Sequence, residues 1–159
     1  MTIEIADLLH VDRVACHRSL GSKKIVLETA SKLLESSTDD FDDQQIIFEA
    51  LIKRERLGST GMGDGIALPH GRIDGLTEAR GALITLESPI EFDSLDEQPV
   101  DLIFALVVPQ NCSNDHLQIL ASLAQLFSDK STCSAMRDAT NEQDLLALVK
   151  SAPSLAQSA

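Results

Sequence analysis

The chain has 159 residues, of which 43% are hydrophobic and 24% charged, as in an ordinary folded domain. Its formal net charge of −12 argues against general binding to nucleic acid or to anionic membranes. We expect a cytoplasmic protein, because no apolar run is long enough to span a bilayer and the N-terminus does not resemble a signal peptide. The cysteines Cys16, Cys112 and Cys133 form no CxxC pair, so we expect free thiols.

The first third of the chain predicts one strand among three helices. "IADLL" indicates a short helix and "DRVACH" a strand. "GSKKIVLETASKLLESS" has helical spacing, with Ser22 as its N-cap. A further helix is predicted over 43–56, where Asp42 and Gln45 have capping-box spacing and Gly58 suits the position after the last turn.

The remainder alternates strands with helices. Strands are predicted over 65–69, 80–88 and 100–109, and "PIEFDSLDEQP" between the last two predicts a turn with room for one short edge strand. Helices follow in "SNDHLQILASLAQLFSD", capped by Asn114, in "STCSAMRDA" and in "NEQDLLALVKSA", capped by Asn141. We expect 153–159 to be a flexible tail. The interleaving predicts a single layered α/β domain.

Glycine is concentrated in one place, since five of the eight glycines lie between Gly58 and Gly71. Such a stretch can direct backbone N–H groups at a phosphate. "GSTGMGDG" lacks the Lys-Ser/Thr ending of a P-loop. The stretch also misses the GxGxxG pattern and precedes a strand instead of following one. A nucleotide-binding fold is therefore disfavoured.

His70 lies directly before the last glycine of this stretch. Cations flank the stretch at Lys53, Arg54, Arg56 and Arg72. A second histidine, His116, falls in the first turn of a predicted helix. A neutral imidazole is a competent nucleophile at neutral pH, and an arginine fork suits phosphoryl oxygens. The pattern therefore favours reversible phosphorylation of a histidine. The alternative is a histidine in a turn that only bonds a backbone carbonyl.

Three segments carry a family resemblance: "RERLGSTGMGDGIALPHGR" (54–72), "LESPIEFDSLDEQPVDLIFALVVP" (86–109) and "HLQILASLAQLFSD" (116–129). They resemble the EIIA components of the bacterial phosphoenolpyruvate-dependent phosphotransferase system, of the fructose/mannitol type. The chain is most similar to the stand-alone nitrogen-regulatory EIIA. The resemblance implies one EIIA domain over 1–152, with a mixed β-sheet flanked by helices.

The resemblance also implies roles for individual residues. His70 would be phosphorylated, through Nε2, His116 would hydrogen-bond the phosphoryl group, and Arg54 would be the active-site arginine. The phosphate pocket would be shaped by Ser59, Thr60, Gly61 and Gly71. Each role has a simpler alternative: Arg54 as a helix-end cation, His116 bonded to its own loop, and Ser59 and Thr60 as turn caps.

The implied function is a phosphocarrier that accepts phosphoryl from an HPr-like protein and regulates targets, with potassium transport and sensor kinases among those of the family. We expect no cofactor and no metal, and we expect the chain neither to bind nucleic acid nor to insert into a membrane. Two alternatives stay open: a sugar-specific EIIA that passes phosphoryl to an EIIB domain, and a regulator that acts by docking alone. A metal site at His70 and His116 is weaker, because no third ligand has recognisable spacing.

Overall fold

The computed structural model describes residues 5–35, 44–111 and 114–151, without the side chains of residues 114 and 115. The described elements are α1 (Ile5–Leu8), a 3-10 turn (Val11–Arg13), β1 (Val14–Arg18), α2 (Lys23–Leu34), α3 (Gln44–Leu57), β2 (Gly61–Gly63), β3 (Ile66–Ala67), β4 (His70–Ile73), β5 (Arg80–Ile90), β6 (Val100–Pro109), α4 (Asn114–Phe127), α5 (Lys130–Asp138) and α6 (Glu142–Ser151). None of the described helices is both long and apolar enough to cross a membrane.

The strands form one mixed sheet in the order β1-β5-β6-β3-β2. The long strands β5 and β6 pair antiparallel at its centre, and β1 lies parallel to β5. Two short strands, β3 and β4, follow one another along the other edge of β6, both parallel to it. The predicted mixed α/β architecture is confirmed.

Alternating side chains of the central strands enter two separate cores, because successive residues of a strand point to opposite faces. From β6, Leu102, Phe104 and Leu106 pack on the face covered by α4, α5 and α6. Ile103 and Ala105 pack on the other face, against α2 and α3. Both faces are thus covered by helices, which explains why the strand sequences are almost continuously apolar.

The helix predictions agree closely with the structure. The Ser22 hydroxyl caps α2 by accepting from the Ile25 N–H at 3.2 Å, and the Asn141 side chain accepts from the Asp144 N–H at 2.8 Å at the start of α6. Helix α3 ends at Leu57, directly before Gly58. The proposed caps at Asp42 and Asn114 and the tail at 153–159 lie outside what the structure describes.

The strand prediction for the glycine stretch needs correction. Instead of one strand over 65–69, the chain forms a β2–β3 hairpin and then a separate strand that begins at His70. Asp64 and Gly65 form the hairpin turn with φ of 57° and 80°, as a two-residue hairpin turn of type I′ requires. Strand β5 also runs two residues past the predicted 88, to Ile90, with a register shift after Thr85.

Candidate active site

A cavity of about 400 Å³ lies where the last turns of α3, strand β4 and the first turn of α4 meet. Its described lining is Ala50, Lys53, Arg54, Leu57, His70, Gly71, Arg72, Gln110 and His116. Three of these residues are cations, and no Asp or Glu is among them. The cavity is therefore an electropositive site in a chain whose formal net charge is −12.

His70 begins β4 and is half-buried in this cavity. Its Nδ1 lies 2.8 Å from the carbonyl oxygen of Leu68. Since a carbonyl can only accept, Nδ1 carries the hydrogen and the lone pair of the neutral ring is on Nε2. Burial lowers the pKa of His70 below its ordinary 6.5, more than the bond to Leu68 raises it, and the nearby Arg54 charge lowers it further. The ring is therefore neutral at neutral pH.

His116, in the first turn of α4, stands beside it with the ring centroids 5.5 Å apart and the planes at 56°. The residue is 7% exposed. Its Nδ1 is buried without a hydrogen-bond partner among the described residues. Burial, followed by the charges of His70 and Arg72, lowers the pKa of His116. Buried polar atoms without a partner are uncommon in folded proteins, and a catalytic role is one of the recognised explanations.

The cations reach the cavity from two elements. Arg54, near the end of α3, donates through Nη1 to the Gly58 carbonyl at 2.8 Å, so one of its five N–H groups is used and the others remain. Arg72 lies two residues after His70 on β4, and alternate residues of a strand share a face. The guanidinium of Arg72 has no partner among the residues described.

Gly71, between His70 and Arg72, allows α3 to lie directly against β4. A Cβ at this position would be 3.2 Å from the Ala50 Cβ and 3.3 Å from the Ala50 carbonyl carbon and oxygen. These contacts are tighter than an ordinary packed interior allows. The missing side chain thus places the helix that carries Arg54 next to the strand that carries His70.

Known proteins share this sequence and fold. Residues 7–152 match the family model of the phosphoenolpyruvate-dependent sugar phosphotransferase system, EIIA 2. The chain belongs to this family. It is 41% identical over 143 residues to a nitrogen regulatory protein of Klebsiella oxytoca, covering 89% of this chain and 85% of that one. With the nitrogen regulatory protein of Escherichia coli it shares 37% identity over 153 residues, covering 93% and 90%.

Solved structures agree. The nitrogen regulatory protein IIA-Ntr from Neisseria meningitidis matches with a TM-score of 0.85 and 39% identity, over 91% of this chain and 98% of that one. IIA mannitol from Escherichia coli matches with a TM-score of 0.74 at 20% identity, over 89% of this chain and 98% of that one, and shows the shared fold. The EIIA chain described above is thus a phosphotransferase component that carries phosphoryl groups between proteins, with nitrogen-regulatory proteins among its relatives.

The structure of this EIIA chain brings together four of the residues that its sequence singles out: His70, His116, Arg54 and Gly71 line one cavity. Among described residues, no three His, Cys, Asp or Glu side chains come close enough to hold a metal ion. The arrangement can therefore present one neutral imidazole nitrogen beside a second imidazole and several fixed positive charges.

The other three predicted pocket residues, Ser59, Thr60 and Gly61, do not line the cavity. The Ser59 hydroxyl donates to the Phe92 carbonyl at 2.7 Å and accepts from the Gly61 N–H at 3.0 Å. The Thr60 hydroxyl donates to Glu55 at 2.6 Å. A Cβ on Gly61 would meet the Ser94 hydroxyl. The hydroxyls of Ser59 and Thr60 and the N–H of Gly61 already have partners within the protein, which favours the turn-capping alternative for Ser59 and Thr60.

Two residues at or beside the cavity are not among the site residues that the sequence predicts. Arg72 lines the cavity, and its spacing of two from His70 in a strand places both side chains on the same face. Glu55 is not among the site residues that the sequence predicts, yet it is 8% exposed and its carboxylate accepts hydrogen bonds from Thr60, just after α3. The sequence signal for Glu55 was a carboxylate that stands between two arginines at the end of a predicted helix.

Proposed function

We propose that this EIIA chain accepts a phosphoryl group on Nε2 of His70 from an HPr-like phosphocarrier protein and acts as a regulator of other proteins. The 2.8 Å contact between His70 Nδ1 and the Leu68 carbonyl carries the proposal. It holds the hydrogen on Nδ1 and leaves the Nε2 lone pair available for attack.

The transfer needs no proton to move to or from His70. The Nε2 lone pair forms the new N–P bond while the N–P bond of the donor's phosphohistidine breaks, and the electron pair of that bond stays on the donor's nitrogen. The charge carried by the phosphoryl oxygens is spread over three atoms during transfer, so positioning and positive charge supply most of the catalysis. The electropositive cavity around His70 fits this requirement.

His116 and Arg54 serve as the phosphoryl-binding groups in this proposal. Neither ring nitrogen of His116 has a described hydrogen-bond partner, so the ring can present an N–H to a phosphoryl oxygen. Arg54 adds charge-assisted hydrogen bonds from the N–H groups that Gly58 does not use.

The regulatory role is favoured over delivery of phosphoryl to a sugar-specific EIIB domain. The relatives with 37–41% identity over most of the chain are nitrogen regulatory proteins, whereas a fructose-specific EIIA component of Haloferax volcanii is 33% identical over 111 residues. The phosphorylated state adds about −1.5 to −2 charge to a cationic cavity. That change in charge would decide which targets bind, and potassium transport and sensor kinases are the kinds of target that we propose to test first.

The test is the intact mass of the chain after incubation with phosphoenolpyruvate and the general donor proteins. We expect one acid-labile phosphate on the wild type and none on His70→Ala. His10→Ala is the matched control, because His10 is exposed and its contacts with other described residues stay within its own turn. Nitrogen-branch and sugar-branch donors are supplied in separate reactions, and faster transfer from the nitrogen-branch donor supports the regulatory role. A folded wild type that takes phosphate from neither donor would leave docking alone as the function.

A further inference from the structure

We propose that Arg72 is a second phosphoryl-binding arginine, which contacts the phosphoryl group on His70 from the side opposite Arg54's helix. The inference rests on the proposed function of His70. It assigns to Arg72 a direct contact with the transferred group, in addition to the general positive charge of the cavity.

The backbone geometry places Arg72 within reach. His70 and Arg72 pair with Leu106 and Val108 of β6 in an unbroken register, so both side chains leave the same face of β4. Two residues of a strand span roughly 6–7 Å, a distance that an extended arginine side chain covers. Gly71 and Ile73 occupy the opposite face, where Gly71 contacts Ala50 of α3 and Ile73 packs in the core beneath α2 and α3.

The guanidinium of Arg72 is available to bind an anion. Arg72 is exposed, and no ion pair or hydrogen bond involves it among the described residues. Two partly buried arginines elsewhere in the chain are engaged by contrast: Arg13 donates to the carbonyls of Gly81 and Leu8, and Arg137 donates to the Asp101 carboxylate and the Asp64 carbonyl. An arginine that has no partner among the described residues and lines an electropositive cavity is suited to an incoming anion.

A second observation links Arg72 to the reacting groups. Its charge is one of the causes that lower the pKa of His116, which indicates that the guanidinium is close enough to influence a ring that lines the cavity. His116 in turn has a buried Nδ1 with no described partner. A phosphoryl group placed between His70 and His116 would therefore meet donors from α4 and from β4 at once.

The test compares Arg72→Gln, Arg72→Lys and Arg56→Gln with the wild type. Arg56→Gln is the matched control, because it also removes one arginine charge from an exposed position. Arg56 lines a different cavity, between α2 and α3, with Lys24, Phe48 and Ile52. Each variant receives phosphoryl from a phosphorylated HPr-like protein and, separately, from phosphoramidate, which has no protein surface to dock. Thermal unfolding checks that each variant is folded.

We expect Arg72→Gln to slow transfer from both donors by about tenfold, Arg72→Lys to recover part of the loss, and Arg56→Gln to stay within about twofold of the wild type. A loss with the protein donor alone would make Arg72 a docking residue and overturn the proposal, as would no loss with either donor. If the wild type itself took no phosphate from the protein donor, the proposed function would fail instead.

A spectroscopic readout separates contact from structural support. In phosphorus NMR titrations of the phosphorylated chain, a guanidinium beside the phosphoryl group favours its dianion and lowers the pKa of that group. The phosphoryl pKa should therefore be higher in Arg72→Gln than in the wild type and Arg56→Gln. Equal phosphoryl pKa values in all three proteins would overturn the contact.

Discussion

Glu55 and Thr60 are joined twice, because the carboxylate of Glu55 accepts from the Thr60 backbone N–H at 2.9 Å and from the Thr60 hydroxyl at 2.6 Å. The same carboxylate lies 2.8 Å from the Lys23 ammonium group. One buried side chain thus ties the end of α3 to the start of the hairpin and to the first turn of α2. The residue before it in sequence, Arg54, lines the cavity.

Glu55→Gln should lower the free energy of unfolding by about 1–3 kcal/mol, because a buried carboxylate with several partners would lose its charge. Urea unfolding measures the effect. Glu49→Gln is the control, since Glu49 is exposed on the same helix and its one hydrogen bond among the described residues is from Gln45, at 3.1 Å. The loss in this variant should stay within about 0.5 kcal/mol. Equal losses in the two variants would show that the Glu55 contacts add nothing to stability.

His116→Ala should slow phosphoryl acceptance by His70 roughly ten- to a hundredfold without abolishing it, because the nucleophile remains while one donor to the phosphoryl oxygens is lost. Quenched-flow transfer from a phosphorylated donor measures the rate. His116→Gln retains an N–H donor and should recover part of the loss. An unchanged rate in His116→Ala would remove His116 from the mechanism.

Stability should fall as the pH drops below about 6.5. The pKa of both His70 and His116 is lower in the folded chain than the ordinary 6.5. Between the folded pKa and the unfolded pKa of each histidine, the unfolded chain therefore binds more protons than the folded chain. The contribution of the two neutral histidines to the free energy of unfolding is fully present above pH 6.5 and is lost as the pH falls toward and through their folded pKa values. The double variant His70→Asn/His116→Asn should therefore lose less unfolding free energy between pH 7 and pH 5 than the wild type. An equal loss would contradict the lowered pKa values.

Gly71→Ala should destabilise the chain by about 1–3 kcal/mol and slow phosphorylation, because the new Cβ would push α3, and Arg54 with it, away from β4. Thermal unfolding and the transfer rate measure the two effects. Gly21→Ala is the control, since nothing lies within 4 Å of a Cβ at Gly21. Ala50→Gly in the Gly71→Ala background removes the nearest of the three contacts and should restore part of both losses.

The sequence predicts most of the layered fold because its local signals are strong. The spacing of apolar residues and the Ser22 cap define α2, and the apolar run over 100–109 defines β6 with its bounds. The strand predicted over 65–69 was wrong in its bounds because the prediction did not include a turn at Asp64-Gly65. Asp64-Gly65 is a hairpin signal in its own right, and the hairpin turn uses the positive φ of both residues.

The candidate site also has residues that the sequence predicts and contacts that it does not. His70, His116 and Arg54 could be singled out because they stand in segments with a family resemblance. The partners of Ser59 and Thr60 could not, because Phe92 and Glu55 are brought to them by the path of the loop after β5 and by the end of α3. Which hydroxyls remain for a ligand depends on tertiary contacts of this kind, which spacing along the chain does not reveal.

The cavity is assembled from α3, β4 and α4, and no one of these segments holds more than part of it. β4 pairs with β6, a strand that is synthesised later and itself pairs with β5. A nascent or truncated chain that ends before α4 lacks His116 and the wall that buries His70. Under the proposed function, efficient phosphorylation of His70 would therefore require α3, β4, β6 and α4 to be assembled, so a phosphate on His70 would mark a chain that has completed its folding.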